Sequence, residues 1–224
     1  MQCMDRAKKP PVLIGRYQYH PSDCLGRGSF SRVFKGYHTA TLEPVAIKRV
    51  DTHALGEKDN HEDRYRKYLD QEIDLMKSMS HENIVRLYDV VFDEDEDYVY
   101  MVLEYCDGGD FSKVLNGTPL PEKHAKYYFK QLIEGMRYLR SQDILHRDLK
   151  PGNIILTNNQ RTLKITDFGF ARRVGPGDVA ETSCGSPKYM APEIILGRKP
   201  DIKSDLWSIG LMLFEAVFGK HPFD

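Results

Sequence analysis

Cysteine is scarce in this 224-residue chain, with four in all. Cys3, Cys24, Cys106 and Cys184 lie far apart and form no CxxC pair. That spacing excludes the usual zinc patterns and a dense disulfide framework, and it fits a reducing compartment. Long apolar runs are absent too, so no segment reads as a membrane span. The opening Met1-Gln2-Cys3-Met4 has no apolar signal core and carries Gln2 where myristoylation needs glycine. The expected setting is cytoplasmic, with the nucleus compatible. Nor is there an excess of charge: 32 Lys plus Arg stand against 33 Asp plus Glu, a net charge of -1. No nucleic-acid partner is therefore expected, and any charge-based partner must be read locally. What the chain does have is 41% hydrophobic and 29% charged residues, enough apolar material for a sizeable core.

Punctuation divides the chain into two textures. Tyr17 to Leu25, Arg32 to Tyr37 and Pro44 to Val50 are rich in β-branched and aromatic residues, with turns at Gly26, Gly28 and Thr39 to Pro44. From Glu62 to Ser80 the period changes: Tyr65, Tyr68, Leu69, Ile73 and Met76 recur at steps of three and four, one apolar face of a helix. Strands follow at Ile84 to Phe92 and Tyr98 to Glu104. Beyond Gly108-Gly109, read as an interlobe hinge, the pattern turns helical. Pro121 suits a first helical turn, and Tyr128, Leu132, Met136 and Leu139 make a stripe running to Ser141. Asn153 to Leu156 and Leu163 to Ile165, joined through Asn158-Asn159, predict a hairpin. A last helix is expected from Ser204 as N-cap to Gly219.

One carboxylate is out of place. Glu72 shares the apolar stripe of its helix, where an unpaired charge would be costly. Lys48 has the matching problem, since alternation in Val45-Ala46-Ile47-Lys48-Arg49-Val50 points it to the sheet face of Ala46 and Val50. The simplest arrangement pairs the two. The alternative leaves Glu72 at the edge of the stripe and lets Lys48 reach water along its stem.

Gly26-Arg27-Gly28-Ser29-Phe30-Ser31-Arg32-Val33 offers two glycines where a backbone approaches phosphate oxygens closely. A dinucleotide fold would follow such a run with a helix, whereas a strand is expected here, and GxxxxGK[ST] is absent. Farther on stand His146-Arg147-Asp148-Leu149-Lys150-Pro151-Gly152-Asn153, Asp167-Phe168-Gly169 and Ala191-Pro192-Glu193. With the glycine loop and Val45-Ala46-Ile47-Lys48 they stand in the order of the protein-kinase signature set. From about Tyr17 to Asp224 the chain resembles a eukaryotic protein kinase catalytic domain.

The resemblance implies an α+β, two-lobe fold: a small antiparallel sheet lobe with one helix over 17-107, and a larger mainly helical lobe over 108-224. Residues 1-16 are expected to be an extension. It implies ATP and Mg²⁺ as cofactors. Lys48, held by Glu72, would bridge the α- and β-phosphates; Asn153 and Asp167 would ligate Mg²⁺. Asp148 would be the catalytic base, with Lys150 near the transferred phosphate. Leu25, Gly26, Gly28, Val33, Ala46 and Ile155 would enclose the nucleotide, with Val33 and Ala46 above the adenine and Ile155 below. Leu103 would be the gatekeeper. The backbone of Glu104 and Cys106 would meet the adenine edge, and Asp110 the ribose.

Asp148-Leu149-Lys150-Pro151 and Gly185-Ser186-Pro187-Lys188-Tyr189 resemble the serine/threonine branch, with Ser186 reaching toward Asp148 and Lys150. Protein substrates are the expected partners, with activation by another kinase or in trans. Arg147 and Arg172 would pin a phosphate on Thr182, with Ser183 second; the alternative is that these arginines make only surface ion pairs. The stretch from Thr182 to Glu193 and Ile14-Gly15-Arg16-Tyr17 are similar to the autophagy-initiating, unc-51-like kinases, and also fit calcium/calmodulin-dependent and AMP-activated relatives. Ser31 departs from the pattern by replacing the third loop glycine. By resemblance, further helices would follow Asp224, and their arginine would pair with Glu193; without them Trp207, Leu211 and Phe214 would expose apolar surface. An inactive or truncated kinase-fold module acting by protein binding is the competing class.

Overall fold

The computed structural model describes residues 10–52, 62–93, 98–174 and 185–224. The chain divides into two units, one of Met1–Ile73 and Arg86–Tyr105, the other of Asp74–Val85 and Cys106–Asp224.

In the first unit, period-two alternation produces β1 (Val12–Ile14), β2 (Tyr17–Arg27), β3 (Ser31–His38) and β4 (Pro44–Asp51). Helix α1 (Glu62–Ser78) intervenes before β5 (Leu87–Asp93) and β6 (Tyr98–Glu104). The strands form one antiparallel sheet in the order β1-β2-β3-β4-β6-β5. It starts earlier than expected, because Val12–Ile14 of the anticipated extension pairs with β2 and buries Ile14. One face packs Tyr17, Tyr19, Phe34, Ile47, Tyr100 and Val102 into a buried cluster, with the Tyr19 and Phe34 rings stacked 4.6 Å apart. Register sets the other face. Val33 lies opposite Lys48, and Lys48 opposite Met101; Ala46 lies opposite Leu103. Opposed residues share a face, so Val33, Ala46, Lys48, Met101 and Leu103 do too.

Leu69, Ile73 and Met76 are buried along α1, as the spacing predicts. Tyr68 is instead exposed, because it lies one position off the stripe. Ile84 does not belong to β5 as expected. It forms a parallel bridge to Ile165, and the next residue's amide, on Val85, donates to the Ile165 carbonyl at 2.9 Å. This segment therefore completes the core of the second unit.

The second unit contains α2 (Glu122–Ser141), β7 (Ile144–Leu145), β8 (Ile154–Thr157), β9 (Thr162–Ile165), β10 (Arg172–Arg173), α3 (Pro192–Ile195) and α4 (Ile202–Phe218). The ridge that α2 buries is Ala125, Phe129, Leu132, Gly135 and Leu139. It keeps the expected Leu132 and Leu139, while Tyr128 and Met136 are only half-buried beside it. The predicted hairpin is β8–β9, with Asn158 and Asn159 in the left-handed region. Gly108 approaches β8 so closely that a Cβ would stand 2.7 Å from the Leu156 carbonyl oxygen. The start of α4 corrects the sequence expectation: Asp201 is the N-cap, and Ser204 sits at N3 as the reciprocal partner in a capping box. Gly219 caps its C-terminus. Trp207 is exposed as expected, together with Leu206, Leu213, Val217 and Phe218, whereas Leu211 is buried and Phe214 half-buried. Among the described residues no helix is long and apolar enough to cross a membrane.

Candidate active site

In the sheet unit, β4 presents Lys48 and α1 presents Glu72, whose Oε1 accepts from Lys48 Nζ at 2.6 Å. The side chains are 13% and 7% exposed. Two charges thus leave water together, each removing the cost the other would bear alone. The pairing inferred from two misplaced charges is present. The glycine loop lies between β2 and β3, where the Gly28 amide donates to the Ser31 carbonyl at 2.8 Å. Leu25 is exposed, and Ala46 and Leu103 are buried. The Glu104 amide donates to the Arg86 carbonyl at 2.8 Å. The amide of Glu104 is therefore engaged within the sheet unit.

In the helical unit, the segment after β7 folds back sharply. Arg147 takes a φ of 68°, a strained value for a residue with a side chain. Asp205 on α4 holds this bend: its carboxylate accepts from the His146 amide at 2.8 Å and the Arg147 amide at 2.9 Å. Burial pushes the Asp205 carboxyl above its usual range, opposed by His146 and these two amides. His146 Nδ1 in turn accepts from the Asp148 amide at 3.3 Å, and its Nε2 lies 3.0 Å from the Thr166 carbonyl. Bend and ring together aim Asp148.

Asp148 is 4% exposed and its carboxylate is surrounded by donors. Oδ1 accepts from the Ser186 amide at 2.7 Å. Oδ2 accepts from Lys150 Nζ at 2.7 Å and Asn153 Nδ2 at 3.0 Å. Lys150 Nζ also donates to Ser186 Oγ at 2.8 Å, the link expected for Ser186. Asn153 spends its amide group on Asp148, since Nδ2 donates to the Asp148 carbonyl at 2.8 Å as well. Its carbonyl oxygen is the atom left for a cation. Asp167 is exposed with a φ of 63°. Among the described residues no group of three His, Cys, Asp or Glu side chains could hold a metal. One carboxylate and one amide oxygen still fit Mg²⁺, which keeps several waters and binds phosphate oxygens. Gly185 passes so close that a Cβ would stand 2.6 Å from the Arg147 carbonyl oxygen, and its φ of 112° also demands glycine.

Other expected residues have identifiable partners. Asp110 caps the short turn Phe111–Lys113, with Oδ1 accepting from the Ser112 amide at 3.1 Å and from the Ser112 hydroxyl. Ile155 forms a bridge to Asp110, and Cys106 is half-buried. Arg172 pairs across the β10–β7 ladder with Leu145, two residues before Arg147. Arg147 Nε donates to the Phe170 carbonyl at 2.6 Å, while its Nη1 is buried with no hydrogen-bond partner among the described residues. Thr182 and Ser183 lie outside the described residues.

Three sets of contacts were missed in the sequence. Asp205 interrupts an apolar helix surface as Glu72 does, near buried Ser208, Ile209 and Met212, so the argument used for Glu72 would have found it. Ser204 Oγ donates to Glu193 Oε1 at 2.6 Å, giving Glu193 a partner within this chain. Tyr189 donates to Glu215 Oε2 at 2.7 Å, and burial together with that carboxylate pushes its phenol up. Nothing in the spacing of Tyr189 and Glu215 signals their contact.

The chain is similar in sequence to known serine/threonine-protein kinases. Serine/threonine-protein kinase atg1 of Dictyostelium discoideum is 44% identical over 204 residues, 89% of this chain and 30% of the relative. ATG1a of Arabidopsis thaliana is 43% identical over 215 residues, 95% of the chain and 33% of the relative. Human ULK1 is 40% identical over 230 residues, 98% of the chain and 21% of the relative. The chain thus spans about a third or less of these relatives. The family model described as the protein kinase domain matches residues 19–224, and the chain accordingly belongs to the protein kinase domain family.

Proposed function

We propose that this chain carries the catalytic activity of a serine/threonine protein kinase, transferring the γ-phosphate of ATP to Ser or Thr hydroxyls of protein substrates. The observation that carries this reading is the Asp148 carboxylate, fixed by the Ser186 amide, Lys150 and Asn153. Phosphoryl transfer asks a protein mainly to position in-line reactants and offset charge. In that step the substrate oxygen bonds to the γ-phosphorus, the bond to the β,γ-bridging oxygen breaks, and ADP leaves. The hydroxyl proton passes to Asp148. Lys150 would offset charge on the transferred group, and its link to Ser186 Oγ is the feature that favours hydroxyl substrates of the Ser/Thr type.

Mg²⁺, held by Asn153 and Asp167, would neutralise phosphate charge when bound. In the sheet unit, Lys48 steadied by Glu72 would hold the α- and β-phosphates under Gly26 and Gly28. Leu25, Val33, Ala46 and the Glu104 backbone are that unit's share of the adenine contacts. The helical unit's share is Ile155, the Cys106 backbone and Asp110.

The buried Nη1 of Arg147 supports a phosphate on Thr182 as the activating event, with Arg172 as second guanidinium. Full activity of Thr182→Ala, with no phosphate on this segment, would refute that part. Likeness to atg1 and ULK1 supports a cytoplasmic role among the unc-51-like kinases that initiate autophagy.

The central test incubates the chain with Mg·ATP and a generic Ser/Thr substrate beside Asp148→Asn. Transfer by the parent, reduced about a thousandfold in the variant with ATP binding retained, is expected. A folded parent that binds ATP and transfers nothing would favour a binding module instead.

A further inference from the structure

Spacing sorts the cations of α2 onto one stripe. Lys123, Lys126, Lys130, Arg137 and Arg140 recur at steps of three, four and seven, so at about 100° per residue the first four share the side away from the buried ridge and Arg140 extends the stripe at its edge near Phe129. All are exposed, and the stripe runs about 25 Å. The helix contains only two acids, Glu122 and Glu134, so it carries +3 in a chain whose net charge is -1. A merely solvated helix face usually interleaves cations with acids at three or four residues. Here, among the described residues, Arg137 alone of the five has an acidic partner, Glu134 at 3.2 Å.

Two apolar side chains accompany this basic face, Ile133 within it at 36% exposure and Tyr127 on its flank beside Lys123 at 48%. The Tyr127 ring is fixed, because its hydroxyl donates to the Arg161 carbonyl at 2.6 Å. The same bond brings the backbone of exposed Arg161 beside the stripe. Interspersed cations with a fixed aromatic and an aliphatic tip match the boundary of an anionic bilayer, where ammonium groups meet headgroups and apolar tips enter the acyl edge. A nucleic-acid strand would instead favour a basic groove with several stacking rings.

We propose that the exposed face of α2 docks onto anionic lipid surfaces. The proposal is independent of the catalytic reading. Vesicles of phosphatidylcholine with about one-third phosphatidylserine, an amount chosen to give a strongly negative surface, test it by co-sedimentation. The whole chain should bind them, bind pure phosphatidylcholine far less, and release as salt rises. Each cation near such a surface strengthens binding about fivefold, so Lys123→Glu, Lys126→Glu, Lys130→Glu together should weaken it about a hundredfold or more. Lys199→Glu, Lys203→Glu, Lys220→Glu, an equal charge change on other exposed lysines, should retain most of the binding. Tyr127→Ser, Ile133→Ser should weaken vesicle binding without changing the salt dependence. Circular dichroism checks that each variant is folded. The proposal is overturned if the parent does not sediment, if both charge reversals lose binding equally, or if the stripe binds an RNA oligonucleotide or free phosphate but not vesicles.

Discussion

The two units hold their functional charges by opposite strategies. In the sheet unit an ion pair, Lys48 to Glu72, joins residues 24 apart in sequence on a strand and a helix. In the helical unit Asp148 is held by three side-chain or amide donors, and the loop beneath it by Asp205. The pair joins a strand to a helix, so a change at Glu72 should disturb the lysine. The Asp148 carboxylate sits in a network where each member is braced by others. A pair of this kind lends itself to switching by movement of a helix, whereas a network of this kind lends itself to permanence.

The largest stability effect should come from the base of the network. Asp205→Ala leaves two buried amides without acceptors, at about 1–3 kcal/mol each, so denaturant unfolding should show a loss of roughly 4 kcal/mol. No single partner deletion should restore it. Glu72→Gln should cost roughly 3 kcal/mol by removing the carboxylate charge that meets Lys48 Nζ in a buried position. Here the contrast sharpens: adding Lys48→Met should recover most of the stability but no activity, and a double-mutant cycle measures both. If Glu72→Gln is neutral, the pair is not what holds Lys48.

Gly185→Ala should cost roughly 2 kcal/mol, because the new methyl meets the Arg147 carbonyl and the backbone sits at positive φ. It should also lower kcat more than KM for the nucleotide, since it disturbs Asp148 rather than ATP contacts; an effect on KM alone would contradict that assignment. The smallest effect belongs to Tyr189→Phe, about 1 kcal/mol for the lost hydrogen bond to Glu215. Its phenol titrates higher folded than unfolded. The native state thus keeps a proton that the unfolded chain releases near pH ~10, and the contribution is present below that pH and fades above it. Thermal unfolding from pH 8 to about 11 should fall more steeply for the parent than for the Phe variant.

Local signals were legible wherever the chemistry repeats along the chain. Strand alternation, the stripe of α1 and the β8–β9 hairpin could be read because neighbouring residues report the same face or turn, whereas the motif residues around Asp148 were read from their resemblance to the protein-kinase signature set. The misreadings fall where neighbours compete. Ser204 is a good N-cap residue, but Asp201 three residues earlier captures the cap and uses Ser204 as its partner. Ile84 continues an apolar run toward β5, yet it bridges to β9 instead.

By itself the sequence determined which residues could do phosphoryl-transfer chemistry and that Glu72 and Lys48 each needed a counter-charge. The second conclusion follows from the fixed periods of helix and strand, and the first rests on the resemblance of the motifs to the protein-kinase signature set. Only the tertiary structure decided that Asp205 accepts the backbone amides of a loop 58 and 59 residues away, that Ser204 serves Glu193, and that Tyr189 meets Glu215. Such bonds depend on where distant segments come to rest, and a buried donor takes whichever acceptor the packing brings within reach.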